Sequence, residues 1–145
     1  MFIANLSETI SLGKKFAEAL NSESVVLLKG PIGAGKTSFV KGLAEGLSIS
    51  ENITSPTFAL SHQYFSGKIP LLHLDLYRIE NIALAREFYI SQEEEATQNN
   101  AILVIEWPEL VQPIIDNFWK IEISYANNYG RNYEIWEPKN SLTFA

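Results

Sequence analysis

An α/β fold with a mostly parallel sheet is what this sequence predicts, and three observations carry the prediction. Val25-Val26-Leu27-Leu28 and Ala101-Ile102-Leu103-Val104-Ile105 are unbroken apolar runs, the pattern of strands buried on both faces. Segments of helical periodicity alternate with such runs along the chain. The third observation is Gly30-Pro31-Ile32-Gly33-Ala34-Gly35-Lys36-Thr37, which fits Gly-x-x-x-x-Gly-Lys-Ser/Thr. It follows the first apolar run and precedes a helix, and strand, glycine loop, helix is the order in which this motif cradles phosphate.

Taken in order, Ser7 to Leu20 predicts an amphipathic helix, with Leu12, Phe16 and Leu20 stacked at i+4 steps. Val25 to Leu28 is the strand that feeds the glycine loop. Ser38 to Leu47 continues as a helix, with Phe39, Val40, Leu43 and Leu47 on one face and Gly46 near its end. Thr54 to Phe65 mixes β-formers with Pro56 and predicts a loop running into a strand, followed by a Ser66-Gly67 turn. Leu71 to Tyr77 is a further strand. Ala83 to Asn99 is helical, in one piece or two, with Glu93-Glu94-Glu95 on the wet side. Ala101 to Ile105 is a central strand, and Pro108 suits the first turn of a short helix. Ile121, Ile123 and Tyr125 then alternate with polar residues, as do Tyr133 and Ile135 beyond Asn127-Asn128-Tyr129-Gly130. That pattern predicts an antiparallel hairpin at the sheet edge. The expected architecture is one small P-loop NTPase domain over residues 1–145, with helices flanking the sheet. No internal repeat, low-complexity tract or long linker divides it.

The loop predicts its own chemistry. Its glycines, Gly30, Gly33 and Gly35, let the backbone curl so that successive N–H groups point at phosphate oxygens. Ala34 and Ser38 belong to the same cradle. The helix opening at Lys36 adds unpaired N–H groups and its positive dipole end. Lys36 is expected to reach the β- and γ-phosphates, and the Thr37 hydroxyl to ligate Mg²⁺.

Bulk properties narrow the function. A chain of 145 residues suits one domain able to bury about two-thirds of its unfolded surface. No run approaches the ~20 apolar residues of a membrane span, and no basic-then-apolar signal pattern opens the sequence. The expectation is a cytoplasmic protein with no membrane partner. Cysteine is absent, which excludes disulfides and thiolate metal sites. The net charge is −6, the pI is near 4.9, and Arg78, Arg86 and Arg131 are the only arginines. Such a chain is poorly equipped to grip a nucleic-acid backbone alone, so any nucleic acid would be met indirectly, through a partner.

A phosphate loop needs an acid at the end of a neighbouring strand to hold Mg²⁺, directly or through water. Leu71-Leu72-His73-Leu74 runs into Asp75, and Ile102-Leu103-Val104-Ile105 runs into Glu106. In an open parallel sheet, ligands gather at the carboxyl ends of strands, so both acids can face one Mg²⁺–phosphate centre. Which of them touches the metal stays open. The bland alternatives are a turn former at Asp75 and a surface carboxylate at Glu106. Thr57, in Ser55-Pro56-Thr57-Phe58, is either a switch-like hydroxyl sensing the γ-phosphate or part of an ordinary turn. His73 alternates with Leu72 and Leu74, as a satisfied histidine on a sheet face would. Trp107 either walls the nucleotide or packs in the core.

The ordered set Gly30–Thr37, Ser55-Pro56-Thr57-Phe58, His73-Leu74-Asp75-Leu76-Tyr77-Arg78 and Glu106-Trp107-Pro108-Glu109 resembles the TsaE (YjeE) family over roughly residues 6 to 137. The resemblance implies an ATPase needed for threonylcarbamoylation of the adenosine beside the tRNA anticodon. It assigns phosphate and Mg²⁺ binding to Lys36 and Thr37, the acidic strand-end role to Asp75, and the acid near the metal to Glu106. Thr57 falls in the switch-like segment. It further implies two partners, TsaB and the transferase subunit TsaD, whose complex is reset between cycles by ATP turnover that is slow in the isolated chain. Pro31 departs from the family, in which Asp or Asn is frequent there; altered loop stiffness is expected rather than lost binding. Ser38 is a milder variation. Two other readings compete: a small-molecule kinase, which would want lid arginines this chain scarcely has, and a regulatory module without useful hydrolysis. No Asn/Thr-Lys-x-Asp guanine signature occurs, which favours adenine.

Overall fold

In the computed structural model, which describes residues 1–138, the chain runs β1 (Phe2–Ile3), α1 (Leu6–Phe16), β2 (Val25–Lys29), α2 (Lys36–Gly46), β3 (Ser61–Tyr64), β4 (Leu71–Asp75), α3 (Ile82–Asn99), β5 (Ile102–Glu106), β6 (Trp119–Tyr125) and β7 (Arg131–Trp136). Residues 139–145, counted with the domain on sequence grounds, lie outside the described residues. One seven-stranded sheet takes the order β1-β7-β6-β2-β5-β4-β3. Strands β6, β2, β5 and β4 pair in parallel, while β3 at one side and β7 and β1 at the other add antiparallel.

The continuous apolar runs follow from this placement, because the parallel strands are covered on both faces. Alternation along a strand sends successive side chains to opposite cores. Val26, Leu28, Leu71, Ile102 and Val104 meet Phe16, Phe39 and Leu43 of α1 and α2. Leu27, Leu72, Leu74, Leu103 and Ile105 meet Ala85, Tyr89 and Ala96 of α3.

Helix α1 starts in a reciprocal cap. Asn5 Oδ1 accepts from Glu8 N at 2.9 Å, and Glu8 Oε2 accepts from Ala4 N at 2.7 Å. Its α-helical part ends at Phe16, and one 3₁₀ turn over Ala17–Ala19 carries the chain on to Leu20. Leu12, Phe16 and Leu20 are buried, as their spacing requires. The helix lies close on α2 because both carry glycine at the contact. A Cβ on Gly13 would come within 2.9 Å of Leu43 N, and one on Gly42 would come closer still to the Ile10 carbonyl oxygen.

One alternative left open by the sequence is resolved, and three local outcomes differ from the sequence-based expectations. The segment expected in one or two helical pieces is the single helix α3, opened by Asn81 Oδ1 accepting from Leu84 N at 3.1 Å and closed by Asn100 at φ 53°. On it Glu93 and Glu94 are exposed, while Glu95 is half-buried. The short helix expected at Pro108 is a turn, in which Pro108 O accepts from Val111 N and Gln112 N, followed by a 3₁₀ turn over Gln112–Ile114. Pro113 supplies no N–H to a continuing helix there. The strand from Leu71 stops at Asp75 rather than Tyr77, since the Asp75 side chain accepts from Tyr77 N and bends the chain away. Finally, the hairpin of β6 and β7 has a two-residue strand beyond it. Met1 and Tyr133 exchange backbone hydrogen bonds of 3.0 and 2.8 Å and bring β1 alongside β7.

Candidate functional site

The Gly30–Thr37 segment leaves β2 at the carboxyl edge of the sheet and turns into α2. Gly33 and Gly35 take φ of +80° and +102°, the left-handed region in which a Cβ is strained. The helix begins at Lys36, and the N–H groups of its first turn have no carbonyl four residues back within the helix. These donors and the dipole end therefore face the same cleft. Lys36 Nζ lies 2.5 Å from Gly30 O and 2.9 Å from Pro31 O, and 4.3 Å from the centroid of the Trp107 ring. Burial lowers the Lys36 pKa from its ordinary value, an effect opposed by the nearby carboxylates of Glu106, Asp75 and Glu109.

Both candidate acids reach this cleft from neighbouring strands. Register pairs Asp75 on β4 with Glu106 on β5, so the two side chains leave the same face at the same level. Each is nearly fully buried, at 4% and 3% exposure. Asp75 Oδ1 accepts from Tyr77 N at 2.9 Å, and Oδ2 accepts from Thr57 Oγ1 at 3.0 Å; Ser55 Oγ lies 2.7 Å from the same Thr57 hydroxyl. Glu106 Oε2 sits 2.6 Å from His73 Nε2 and accepts at 3.5 Å from Thr37 Oγ1. The turn-forming role of Asp75 and its place in the cleft thus coexist, and Glu106 is not a surface carboxylate.

A cleft of about 450 Å³ results. Gly33, Gly35, Lys36, Thr37, Ser38, Thr57, Asp75 and Glu106 line it together, with Tyr77 and Trp107, whose rings stand 4.9 Å apart, as an aromatic wall. Trp107 therefore faces the cleft. Two expected residues stand behind it instead. The Ala34 side chain is buried in the α1–α2 core, and Gly30 backs onto Ile123 O, where a Cβ would come within 2.8 Å; Gly30 contributes its carbonyl to Lys36. Pro31 also lies outside the cleft lining. Arg78 stacks on Phe58 at 4.2 Å and does not line the cleft. The oxygen donors Thr37, Asp75 and Glu106 form a hard set that suits Mg²⁺, which is held by one or two carboxylates completed by phosphate and water.

Sequence reasoning missed the residues on the other flank of the loop. A second cleft of about 200 Å³ shares Gly33, Gly35 and Ser38 with the first and adds Asn5, Leu6, Thr9, Tyr129 and Arg131. Arg131 Nη2 donates to Gly33 O at 3.2 Å, and the guanidinium lies 4.6 Å from the Tyr125 ring. The Tyr125 hydroxyl donates to Ile32 O. Two outward carbonyls of the loop are thus held by the β6–β7 hairpin. The scarcity of arginine was a signal that could have drawn attention to Arg131; Asn5 and Thr9 gave none.

Comparison with known proteins agrees with this geometry. A family model described as threonylcarbamoyl adenosine biosynthesis protein TsaE matches residues 3–133. A tRNA threonylcarbamoyladenosine biosynthesis protein TsaE from Nostoc sp. is 41% identical over 138 residues, covering 93% of this chain and 83% of the relative. Its counterpart from Aquifex aeolicus is 36% identical over 122 residues, covering 83% and 84%. The crystal structure of YdiB from Bacillus subtilis superposes with a TM-score of 0.74 at 28% identity, covering 92% of this chain and 80% of that one. Phosphate loop, paired strand-end acids, sheet order and these likenesses point the same way: the chain belongs to the TsaE family of tRNA threonylcarbamoyladenosine biosynthesis proteins.

Proposed function

We propose that this chain binds ATP with Mg²⁺ and hydrolyses it slowly by itself, and that it acts on a TsaB–TsaD complex to reset it between cycles of tRNA threonylcarbamoylation. The observation that carries this reading is the convergence of Lys36, Thr37, Asp75 and Glu106 on one cleft at the N-terminus of α2. Lys36 and the first-turn N–H groups bind and orient the phosphates. Thr37, with Asp75 or Glu106, would hold Mg²⁺, which when bound neutralises charge on the β- and γ-phosphate oxygens. Thr57 donates to Asp75, so the Ser55–Phe58 loop is tied to one of the two acids of the cleft and would follow the state of the nucleotide there. The second cleft, continuous with the loop through Gly33, Gly35 and Ser38, takes the nucleoside.

Slow intrinsic turnover follows from the scarcity of cations. Phosphoryl transfer is accelerated chiefly by charge placed around the transferred group. Lys36 is the basic residue lining the larger cleft, while Arg131 is committed to Gly33 O and Arg86 Nε donates to Leu110 O. Docking of the partner complex supplies the missing geometry. The net charge of −6 supports contact with tRNA through those partners rather than directly, in the cytoplasm. No helix among the described residues is long and apolar enough to cross a membrane.

The test is ATP hydrolysis by the chain alone and with purified TsaB–TsaD. Strong stimulation, abolished by Glu106→Ala, is the expected result. An unchanged rate with the partners would overturn the gating, and phosphate transfer to a small metabolite instead of water would overturn the ATPase itself.

A further inference from the structure

His73 is the most deeply placed polar side chain near the phosphate cleft, and packing does not explain it. It lies on β4, two residues before Asp75, with 0% exposure. Its neighbours on the strand are Leu71, Leu72 and Leu74, all buried. The Nδ1 atom is buried with no hydrogen-bond partner. An orphaned buried nitrogen is unfavourable, and a leucine would fill the same strand position without it. What the imidazole does have is one short contact, Nε2 to Glu106 Oε2 at 2.6 Å. A carboxylate only accepts, which puts the hydrogen on Nε2.

The contact matters because of what else Glu106 touches. The same Oε2 faces Thr37 Oγ1 at 3.5 Å, the hydroxyl that opens α2 beside Lys36. A glutamate at a strand end has three rotatable side-chain torsions, and here its register neighbour is another acid, Asp75. Repulsion between the two carboxylates favours rotamers that separate them. The short donor behind Glu106 that counters this repulsion and holds it forward beside Thr37 is His73.

We propose that His73 is a positioning residue for Glu106: its Nε2–H pins Oε2 against the end of the phosphate loop and leaves the other carboxylate oxygen aimed at the metal–phosphate centre. The inference rests on the ATPase reading above. The chemistry it serves is orientation of an oxygen ligand, the same role that hydrogen-bond partners behind ligating carboxylates play in other metal sites.

The experiment compares the full chain with His73→Leu, His73→Gln and His73→Asn. Leucine removes the donor, glutamine returns an N–H of similar reach, and asparagine keeps the polarity but is too short. Circular dichroism and thermal melting establish which variants fold. For His73→Leu we expect kcat to fall about 10- to 100-fold with KM nearly unchanged. Calorimetric ADP binding in EDTA should match wild type, while Mn²⁺ binding to the ADP complex, followed by electron paramagnetic resonance, should weaken by a similar factor. His73→Gln should recover most of both losses and His73→Asn should not. If His73→Leu does not fold, the His73→Asn and His73→Gln pair carries the same comparison. Variants indistinguishable from a wild type that binds and hydrolyses ATP would overturn the positioning role alone. KM and kcat moving together, or no rescue by glutamine, would reduce His73 to a structural residue. A wild type that binds no nucleotide would overturn the ATPase reading and this inference with it.

Discussion

On one flank of the Gly30–Thr37 loop stand Asp75, Glu106 and His73, each buried and each carried by a central parallel strand. On the other stand Asn5, Thr9, Tyr125 and Arg131, carried by the N-terminal segment and by the antiparallel hairpin, with Tyr125 about half exposed. The first flank presents side-chain charge in a buried setting, where Coulomb interactions are strong and geometry is held by packing. The second touches the loop mainly through its backbone carbonyls at Ile32 and Gly33 and shapes the smaller cleft. Under the proposed ATPase function such a division would separate chemistry from recognition: the acids and their histidine sit on central parallel strands, while the second flank sits on the N-terminal segment and the edge hairpin. Changes on the acid flank should therefore cost turnover, and changes on the hairpin flank should cost affinity.

The largest expected effect breaks the acid flank directly. Glu106→Gln should lower kcat by about 100-fold or more while ATP affinity stays within about threefold. Steady-state kinetics paired with calorimetry would check this, and an affinity loss as large as the loss of turnover would erase the distinction between the flanks. Thr37→Ala comes next. Affinity for ATP with Mg²⁺ should drop about tenfold, with no change in EDTA, because a single metal-directed hydroxyl is lost. Arg131→Ala should weaken nucleotide binding about fivefold to tenfold and leave kcat within about twofold, since it releases the Gly33 carbonyl and opens the smaller cleft. Stopped-flow binding of a fluorescent ADP analogue would resolve it; a kcat effect exceeding the affinity effect would move Arg131 to the chemical flank. The smallest change is expected for Tyr125→Phe, about threefold in affinity, from one exposed hydrogen bond to Ile32 O. If the double variant Tyr125→Phe, Arg131→Ala shows coupling in a mutant cycle, the hairpin holds the loop as one unit.

The acid flank was largely legible in the sequence. An unbroken apolar run ending in an acid has few uses in a parallel sheet, and both Asp75 and Glu106 sit where that reasoning put them, at the carboxyl edge beside the loop. Thr57 was legible only as either a switch-like hydroxyl or part of an ordinary turn, and not as the donor to Asp75. His73 was read as an ordinary sheet histidine, because alternation with leucine reports burial and not the partner. The hairpin flank was scarcely legible. Its alternation predicts β6 and β7, yet nothing local announces that β6 pairs in parallel with β2, or that Phe2–Ile3 adds a further strand. A two-residue strand has no periodicity to read.

What the sequence determined by itself were features governed by local stereochemistry and solvent partition: the glycine loop, whose Gly33 and Gly35 need positive φ; the doubly buried strands; the helical character of the α3 segment; and the acids at the strand ends. Tertiary structure alone decided the register that sets Asp75 beside Glu106, the His73–Glu106 contact across 33 residues of sequence, and the closure of the hairpin over the loop. The physical reason is one of range. Dihedral preference and burial act residue by residue and leave a pattern, whereas a hydrogen bond between distant strands depends on which strands become neighbours, and that is settled by the packing of the whole sheet.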